Sequence, residues 1–397
     1  MPLPLASIPF LPPVAGNALL LVGSFLLLLA GAEVFTNGVE WLGHRLGVSE
    51  SATGSILAAV GTALPETMIP VIAIVNGVLT GDRTAANEVG VGAILGAPFM
   101  LATIAMFLVG GSVLYFSGRR SHGAAFHFNA ESTKRDLSFF LVGYTLAFLT
   151  ALVPSDFAVS GLAVGTWIGY VVGAVLVLLY LFYVYRSLKR GELMESEGID
   201  DLHLGRLLHG MPGPTPGGSG NTADVAADPP RYLVVIQTLV ALALIVGGAN
   251  LFVEEVSFFS TEVLGFPSAV LALLLAPLAT ELPEKFNSVI WISRDKDTLA
   301  IGNITGAMAF QGTLPVTLGI LFTSWNLSLS WGTTGFLNGL SALLAIVSGV
   351  YLYLRARTAG GEPMHPRPFL VGGVLYLLFI AVLVYHVAVF DLSVSPH

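Results

Sequence analysis

The chain has 397 residues, of which 54% are hydrophobic and only 11% charged, against roughly 25% charged in an ordinary soluble domain. A mean hydropathy of +0.81 excludes a soluble globular enzyme, and zero cysteines exclude disulfides, thiolate metal sites and cysteine catalysis. A formal net charge of −8 leaves no basic face for nucleic acid. Apolar runs long enough to cross about 30 Å of hydrocarbon as helices recur along the whole chain. Lipid admits only helices or closed barrels, and barrel strands would alternate in short segments. The predicted fold is an all-α membrane protein with the lipid bilayer as its surroundings.

Ten spans are predicted, near residues 17–41, 51–80, 86–117, 137–153, 157–186, 232–255, 266–293, 299–323, 331–354 and 367–391. The first lacks a convincing small-residue cleavage site and reads as a retained helix. The fourth is short for a full crossing. Loops after the odd-numbered spans carry Arg45; Arg119, Arg120, Lys134 and Arg135; Arg186, Lys189, Arg190, Arg206 and Arg231; Arg294 and Lys296; and Arg355, Arg357 and Arg367. That is 15 of the 17 basic residues, with Arg83 alone on the other side and Lys285 inside span seven. By the positive-inside rule the odd loops face the cytoplasm and both termini face outside, in an inner or plasma membrane.

Residues 191–231 form the one long polar break, with the run Pro-Gly-Pro-Thr-Pro-Gly-Gly-Ser-Gly. Such a segment reads as a flexible cytoplasmic linker, and Asp200-Asp201 within it as a solvated pair. The stretch 118–136 reads as a basic, partly ordered connector. The linker divides the chain into five spans in residues 1–190 and five in 232–397.

The two halves repeat each other. Span two holds Gly61-Thr62-Ala63-Leu64-Pro65-Glu66 and span seven holds Ala279-Thr280-Glu281-Leu282-Pro283-Glu284, at an offset of 218. Gly47 and Gly265 share that offset; Ala32-Glu33-Val34-Phe35 matches Ala249-Asn250-Leu251-Phe252 at 217; Gly92-Ala93-Ile94-Leu95-Gly96-Ala97 matches Gly302-Asn303-Ile304-Thr305-Gly306-Ala307 at 210. With five spans per unit the copies enter the membrane from opposite sides, as two inverted five-helix repeats, the architecture of secondary transporters. Their cores lie near 51–105 and 266–315.

The shared element is Thr-x-Leu-Pro-Glu. Proline lacks an N–H and clashes one turn back, so carbonyls near Thr62 and Thr280 are freed and must line a polar cavity. Thr and Glu four apart stack on one helix face. Each helix then offers a hydroxyl, a carboxylate and loose carbonyls, an all-oxygen set suited to hard cations. An intramembrane acid costs about 2.5–3.5 kcal/mol on insertion scales, so Glu66 and Glu284 are expected to be functional.

Other polar residues surround the pair. Glu281 and Lys285, four apart, either pair along the helix or let Lys285 approach Glu284; the adjacency of 284 and 285 favours the first. Gln311, with the Thr305 and Thr313 hydroxyls near it, and Asn287 are either cation ligands or interhelical bonds. Gly90, Gly92, Gly96, Gly302, Gly306 and Gly312 allow close helix approach around a central site. Glu33, Asn37, Glu40, Asn250, Glu254 and Glu255 read mostly as interfacial, with Glu33 the deepest. His386 reads as a packed core or rim residue.

These motifs resemble the calcium/cation antiporter superfamily, the membrane region of sodium/calcium exchangers and their bacterial relatives. The resemblance covers nearly the whole chain. It implies ten helices in two inverted halves, with Glu66 and Glu284 as acidic ligands of the transported cations and Thr62 and Thr280 as oxygen donors. The chain departs from the pattern where the motif Ser becomes Ala63 and Glu281, where the third-helix Ser becomes Ala97 and Ala307, and where the following Asn/Asp becomes Leu101 and Gln311. The resulting expectation is a secondary active antiporter exchanging Ca²⁺ or a similar cation for Na⁺ or H⁺, without cofactor. Na⁺/H⁺ exchange, or a transport-dead or channel-like relative, is the alternative. No HExxH, cysteine or nucleotide-binding loop points to an enzyme.

Overall fold

A computed structural model describes residues 12–63, 67, 70–71, 74–75, 90–153, 164–189, 200–205, 229–258, 263, 281–327, 329–360 and 362–390. Among these residues the chain is helical, with one isolated β-bridge between Phe126 and Met364 and no strand.

Helix α1, Pro13–Leu46, starts on a proline in its first turn, where a missing N–H costs nothing, and stops at Gly47, whose φ of 63° turns its N–H back to the Gly43 and His44 carbonyls. Helix α2 runs from Glu50 to Thr62 and holds a π-helical turn at Thr53–Ala58; Ser49 caps its start by accepting from the Ala52 N–H. Helix α3, from Val91 to Phe116, also has a π turn at Leu101–Ala105, one helical turn after Pro98.

Helix α4 spans Ala130–Ala151, with Asn129 accepting from the Ser132 N–H as its cap. This corrects the short fourth span: the polar turns Glu131–Asp136, invisible to hydropathy, are helical and make a helix of 22 residues. Helix α5 is Val164–Lys189, α6 Arg231–Phe258, α7 Leu282–Ser293 and α8 Asp297–Gln311. The predicted eighth span is two helices, because the chain breaks at Gly312–Thr313 and restarts at Pro315 as α9, Leu314–Phe322. Helices α10, Thr334–Ala359, and α11, Val371–Phe390, complete the chain.

Seven of the described helical stretches are long and apolar enough to cross a membrane, so this is a multi-pass membrane protein. Predicted spans 51–80 and 266–293 lie partly outside the described residues. The two stretches containing α3 and α8–α9 are innermost: 78% of their apolar windows is buried, against 22–50% in the other five. Helix α8 contacts α2, α4 and α7, while α1 packs along α6. The apolar flanks of α5, α6 and α11 stay exposed, including Leu178, Val240 and Leu377, as lipid-facing surfaces do.

The crossing of α8 over α2 depends on missing side chains. A Cβ on Gly306 would overlap the backbone carbonyl of Ser55, and one on Gly302 would stand 3.2 Å from the Ser55 hydroxyl. The two backbones therefore touch, as small residues permit within membranes.

The connector regions are more ordered than composition predicts. In 118–136, Arg120 is buried and forked onto Asp297, at 2.8 and 2.6 Å, with a further bond to the Ile292 carbonyl. The segment 200–205 is also docked. Asn37 and Trp41 both donate to the Asp200 carbonyl at 2.9 Å, Gln237 accepts from the Leu204 N–H at 2.7 Å, and Leu202 is buried beside Trp41, Leu233 and Val234. The Asp200 main chain is thus anchored in a docked strap, while its carboxylate stays 56% exposed. The flanking parts of the linker lie outside the described residues.

Candidate cation site

Helix α2 ends at Thr62, and Ala63 follows as a turn; helix α7 begins at Leu282, with Glu281 before it and Pro283 in its first turn. Both copies of the motif therefore coincide with a helix end. Glu66 and Thr280 lie outside the described residues.

Thr62 and Glu284 are brought together by Asn303 of α8. The Thr62 hydroxyl is 3.3 Å from Asn303 Oδ1 and 3.0 Å from the Ala58 carbonyl, so its one proton can serve either. Asn303 Nδ2 donates to the Glu284 main-chain carbonyl at 3.0 Å and reaches Ser288 Oγ at 3.2 Å. All four residues are buried, at 0–1% exposure. The Glu284 side chain borders Thr62, yet neither of its carboxylate oxygens has a hydrogen-bond partner among the described residues. It sits in the first turn of α7, where free N–H groups and the helix dipole favour negative charge.

Asn287, one turn beyond Glu284, is fully buried with both polar atoms unpartnered among the described residues. Gln311 is likewise buried and unpartnered there. It lines a cavity of about 10 Å³, the room of one water, together with Thr67, Pro70, Ala93, Ile94, Ala97 and Pro315. This cavity therefore lies between residues of the first half, Thr67 among them, and Gln311 and Pro315 of the second. The Thr305 and Thr313 hydroxyls do not serve Gln311. Thr305 donates to Asp136 or the Ile301 carbonyl, and Thr313 to its own helix.

Glu281 and Lys285 form a buried ion pair, Nζ to Oε2 at 3.0 Å. Lys285 is thus held by Glu281, not by Glu284. The set of buried amides, hydroxyls and a carboxylate without a donor among the described residues offers oxygen to a hard cation. Among the described residues no three His, Asp or Glu side chains converge, so amide and hydroxyl oxygens make up most of what is seen.

Around this centre the ion pairs gather between α1 and the turn joining α7 to α8. Lys296 pairs with Glu40, which also accepts from Trp291 Nε1 at 2.8 Å, and Arg294 pairs with Glu33. Glu40 is 1% exposed, whereas the Glu33 side chain is 37% exposed. Glu40 is therefore the more enclosed by protein of the two, because it faces the Trp291 of the neighbouring helix. Glu255 is also enclosed by protein. His386 packs against Trp331 and stacks on Phe336, its Nδ1 at 2.9 Å from the Val382 carbonyl.

Two residues of this region are not singled out by the sequence pattern. Asn303 lies inside the Gly302–Ala307 element, where an amide in an apolar run is the available signal. Asp136 falls in the stretch that composition marks as a connector, and its only sequence signal is its place at the edge of an uncharged run.

The family profile described as "Sodium/calcium exchanger protein" matches residues 16–189 and 233–388. The sodium/calcium exchanger MaX1 of Methanosarcina acetivorans is 24% identical over 298 residues, covering 73% of this chain and 79% of that protein. The putative antiporter CaxA of Alkalimonas amylolytica is 23% identical over 294 residues, covering 73% and 76%. Among solved structures, the sodium-calcium exchanger NCX_Mj soaked with 2.5 mM Na⁺ and 10 mM Sr²⁺ superposes with a TM-score of 0.65 at 18% identity, covering 93% of this chain and 99% of that one. The same exchanger soaked with 2.5 mM Na⁺ and 0.1 mM Ca²⁺ gives 0.62 at 19% identity, covering 93% and 97%.

Proposed function

The chain belongs to the sodium/calcium exchanger family, and from that premise we propose that it is a secondary active antiporter exchanging Ca²⁺ or a similar cation for Na⁺ or H⁺. The cations bind between Thr62 and Glu66 of the first half and Thr280 and Glu284 of the second, with Asn287 and Gln311 as flanking oxygens and Glu281 neutralised by Lys285. Access alternates between the two faces as one helix group slides against the rest. Competition of both cations for the same carboxylates enforces exchange.

One observation carries this reading: Asn303 ties Thr62 to Glu284 in the interior while the Glu284 carboxylate accepts nothing from the described residues. A buried acid in that state needs a proton or a cation. The family match and the exchanger named among its relatives supply the cation class.

In this reading ten helices form two inverted repeats, residues 1–190 and 232–397, with 191–231 cytoplasmic and both termini outside, in the inner or plasma membrane. The motif breaks at matched positions support the repeat. The ion pairs of Arg294 and Lys296 with α1, and of Arg120 with Asp297, support a shared basic end.

Na⁺/H⁺ exchange is the second reading. Leu101, Ala97 and Ala307 are packed and apolar, at 0%, 5% and 0% exposure, where the family pattern has oxygens, so fewer cation positions remain.

The test is radiolabelled Ca²⁺ uptake into proteoliposomes loaded with Na⁺ or with protons and diluted into Na⁺-free or alkaline buffer. Uptake driven by one gradient and lost in Glu66→Gln/Glu284→Gln is the expected result. Uptake equal to that of the double mutant under both gradients overturns Ca²⁺ exchange and leaves Na⁺/H⁺ exchange to be measured by the same vesicles with ²²Na⁺.

A further inference from the structure

Asp136 of α4 has no exposed surface. Its Oδ2 accepts from Ser55 of α2 at 2.6 Å and from Thr305 of α8 at 2.9 Å. Its Oδ1 takes the Arg135 guanidinium, at 2.9 and 3.1 Å. The Ser55 carbonyl in turn accepts from Tyr183 of α5 at 3.1 Å. One carboxylate oxygen thus joins a helix of the first half to a helix of the second. We infer that Asp136 is a positioning residue for transport, fixing the axial register of α2 against α8 and so the Thr62–Asn303–Glu284 arrangement; the inference rests on the reading of that arrangement as the transport site.

The crossing explains why such a clamp is needed. Gly302 and Gly306 lie on the Ser55 backbone, and a smooth contact between small residues has no interlocking side chains to stop sliding. Directional bonds must supply the register instead. Ser55 stands in the π turn of α2, and π turns re-aim side chains within an otherwise regular helix. From Ser55 to Thr62 is seven residues, about 10 Å of helix, and Thr305 is two residues from Asn303. A slip of one residue, about 1.5 Å, would carry the 3.3 Å Thr62–Asn303 contact out of hydrogen-bond range. Stability alone does not call for an acid here, since well-packed apolar residues often replace buried ion pairs without loss. Fixing register is the best-attested use of such groups.

The experiment uses the full chain, with Ca²⁺ as probe. It reads the half-saturating Ca²⁺ concentration and maximal rate of uptake in proteoliposomes, and the Ca²⁺ concentration at half-maximal thermal stabilisation in detergent. In Asp136→Leu both half-saturating values rise about tenfold or more while the maximal rate changes less. In Asp136→Asn they return to within about threefold of wild type, because one amide oxygen can still accept from both Ser55 and Thr305. Ser55→Ala/Thr305→Val, which leaves Asp136 and Arg135 in place, repeats the Leu result and carries the test if Asp136→Leu does not fold. The fully buried neighbour Leu137→Ala lowers the thermal midpoint without moving either half-saturating value. The inference is overturned if the serine–threonine double variant binds Ca²⁺ like wild type, if Asn fails to rescue, or if Leu137→Ala shifts affinity equally. A wild-type protein that neither takes up nor is stabilised by Ca²⁺ or Na⁺ overturns the transport reading instead.

Discussion

Ala63 and Glu281, 218 positions apart, share one backbone conformation: φ −81°, ψ 6° for the first and φ −86°, ψ 8° for the second. Both sit in the sparsely populated bridge region, which active-site residues often occupy. One follows the last residue of α2 and the other precedes the first residue of α7. In each motif a proline comes two residues later in the sequence, and a proline has no N–H to give to a helix ladder. Such breaks are tolerated in a membrane protein where protein or a cavity buries them. Ala63 and Glu281 are both fully buried.

The α2–α8 crossing has no space for a methyl group at its closest point. Gly306→Ala drives a Cβ into the Ser55 carbonyl, whereas at Gly302 the nearest atoms are 3.2–3.3 Å away. Gly306→Ala is therefore expected to cost about 1–3 kcal/mol and Gly302→Ala clearly less. Thermal unfolding midpoints in a single detergent compare them; equal losses would show that the backbone contact is looser than described.

The Glu281–Lys285 pair should behave as a unit. Lys285→Met alone leaves a buried carboxylate and is expected to cost about 3–5 kcal/mol, while Glu281→Met/Lys285→Met falls within about 1 kcal/mol of wild type. A double-mutant cycle on unfolding measures the coupling. If Lys285→Met is as mild as the double change, the lysine is serving some other group.

Asn303→Leu keeps the branched outline of the side chain but removes the donor to the Glu284 carbonyl and to Ser288. Thr62 retains the Ala58 carbonyl. The orphaned acceptors are expected to cost about 1–3 kcal/mol, and cation affinity to fall with them. Ca²⁺-dependent thermal stabilisation reads both at once; unchanged affinity would separate Asn303 from the site.

The docked segment 200–205 rests on Leu202, which is 4% exposed. Leu202→Asp places a charge against Trp41, Leu233 and Val234 and removes about 1.5–3 kcal/mol of apolar burial. Limited proteolysis is expected to cut the variant within or beside 200–205 far faster than wild type. Identical cleavage rates would mean that the segment is held by its hydrogen bonds alone.

The positions of the seven described spans are legible in the sequence because hydrophobicity is all that a lipid-facing helix needs. The Thr-x-Leu-Pro-Glu copies are legible because a proline and an acid are both costly inside an apolar run, and two matched copies share that cost at one spacing. The Glu281–Lys285 pairing follows from helical spacing. What is not legible comes from neighbours distant in sequence. Asp136 and Arg120 look like connector residues until α8 and its preceding turn are packed against them. Asn303 is one polar residue among several until its two ends are seen on Thr62 and Glu284. That Glu40 is enclosed by protein is not legible, because sequence gives no hint of Trp291 beside it. Hydropathy windows also average across the Gly312–Thr313 break and skip the polar start of α4.

The docked segment fastens the connection between the halves at a point part-way along the sequence from α5 to α6. Residues 190–199 run from the end of α5 to the Asp200 anchor, and residues 206–228 run from Gly205 to the start of α6. A reporter domain inserted between 206 and 228 would act first on Gly205 and on the Leu204–Gln237 bond beside it. The same insertion before 200 would load the contacts of Asn37 and Trp41 directly. Two grafts a few residues apart would thus be mechanically unlike, and the second would act on the first helix.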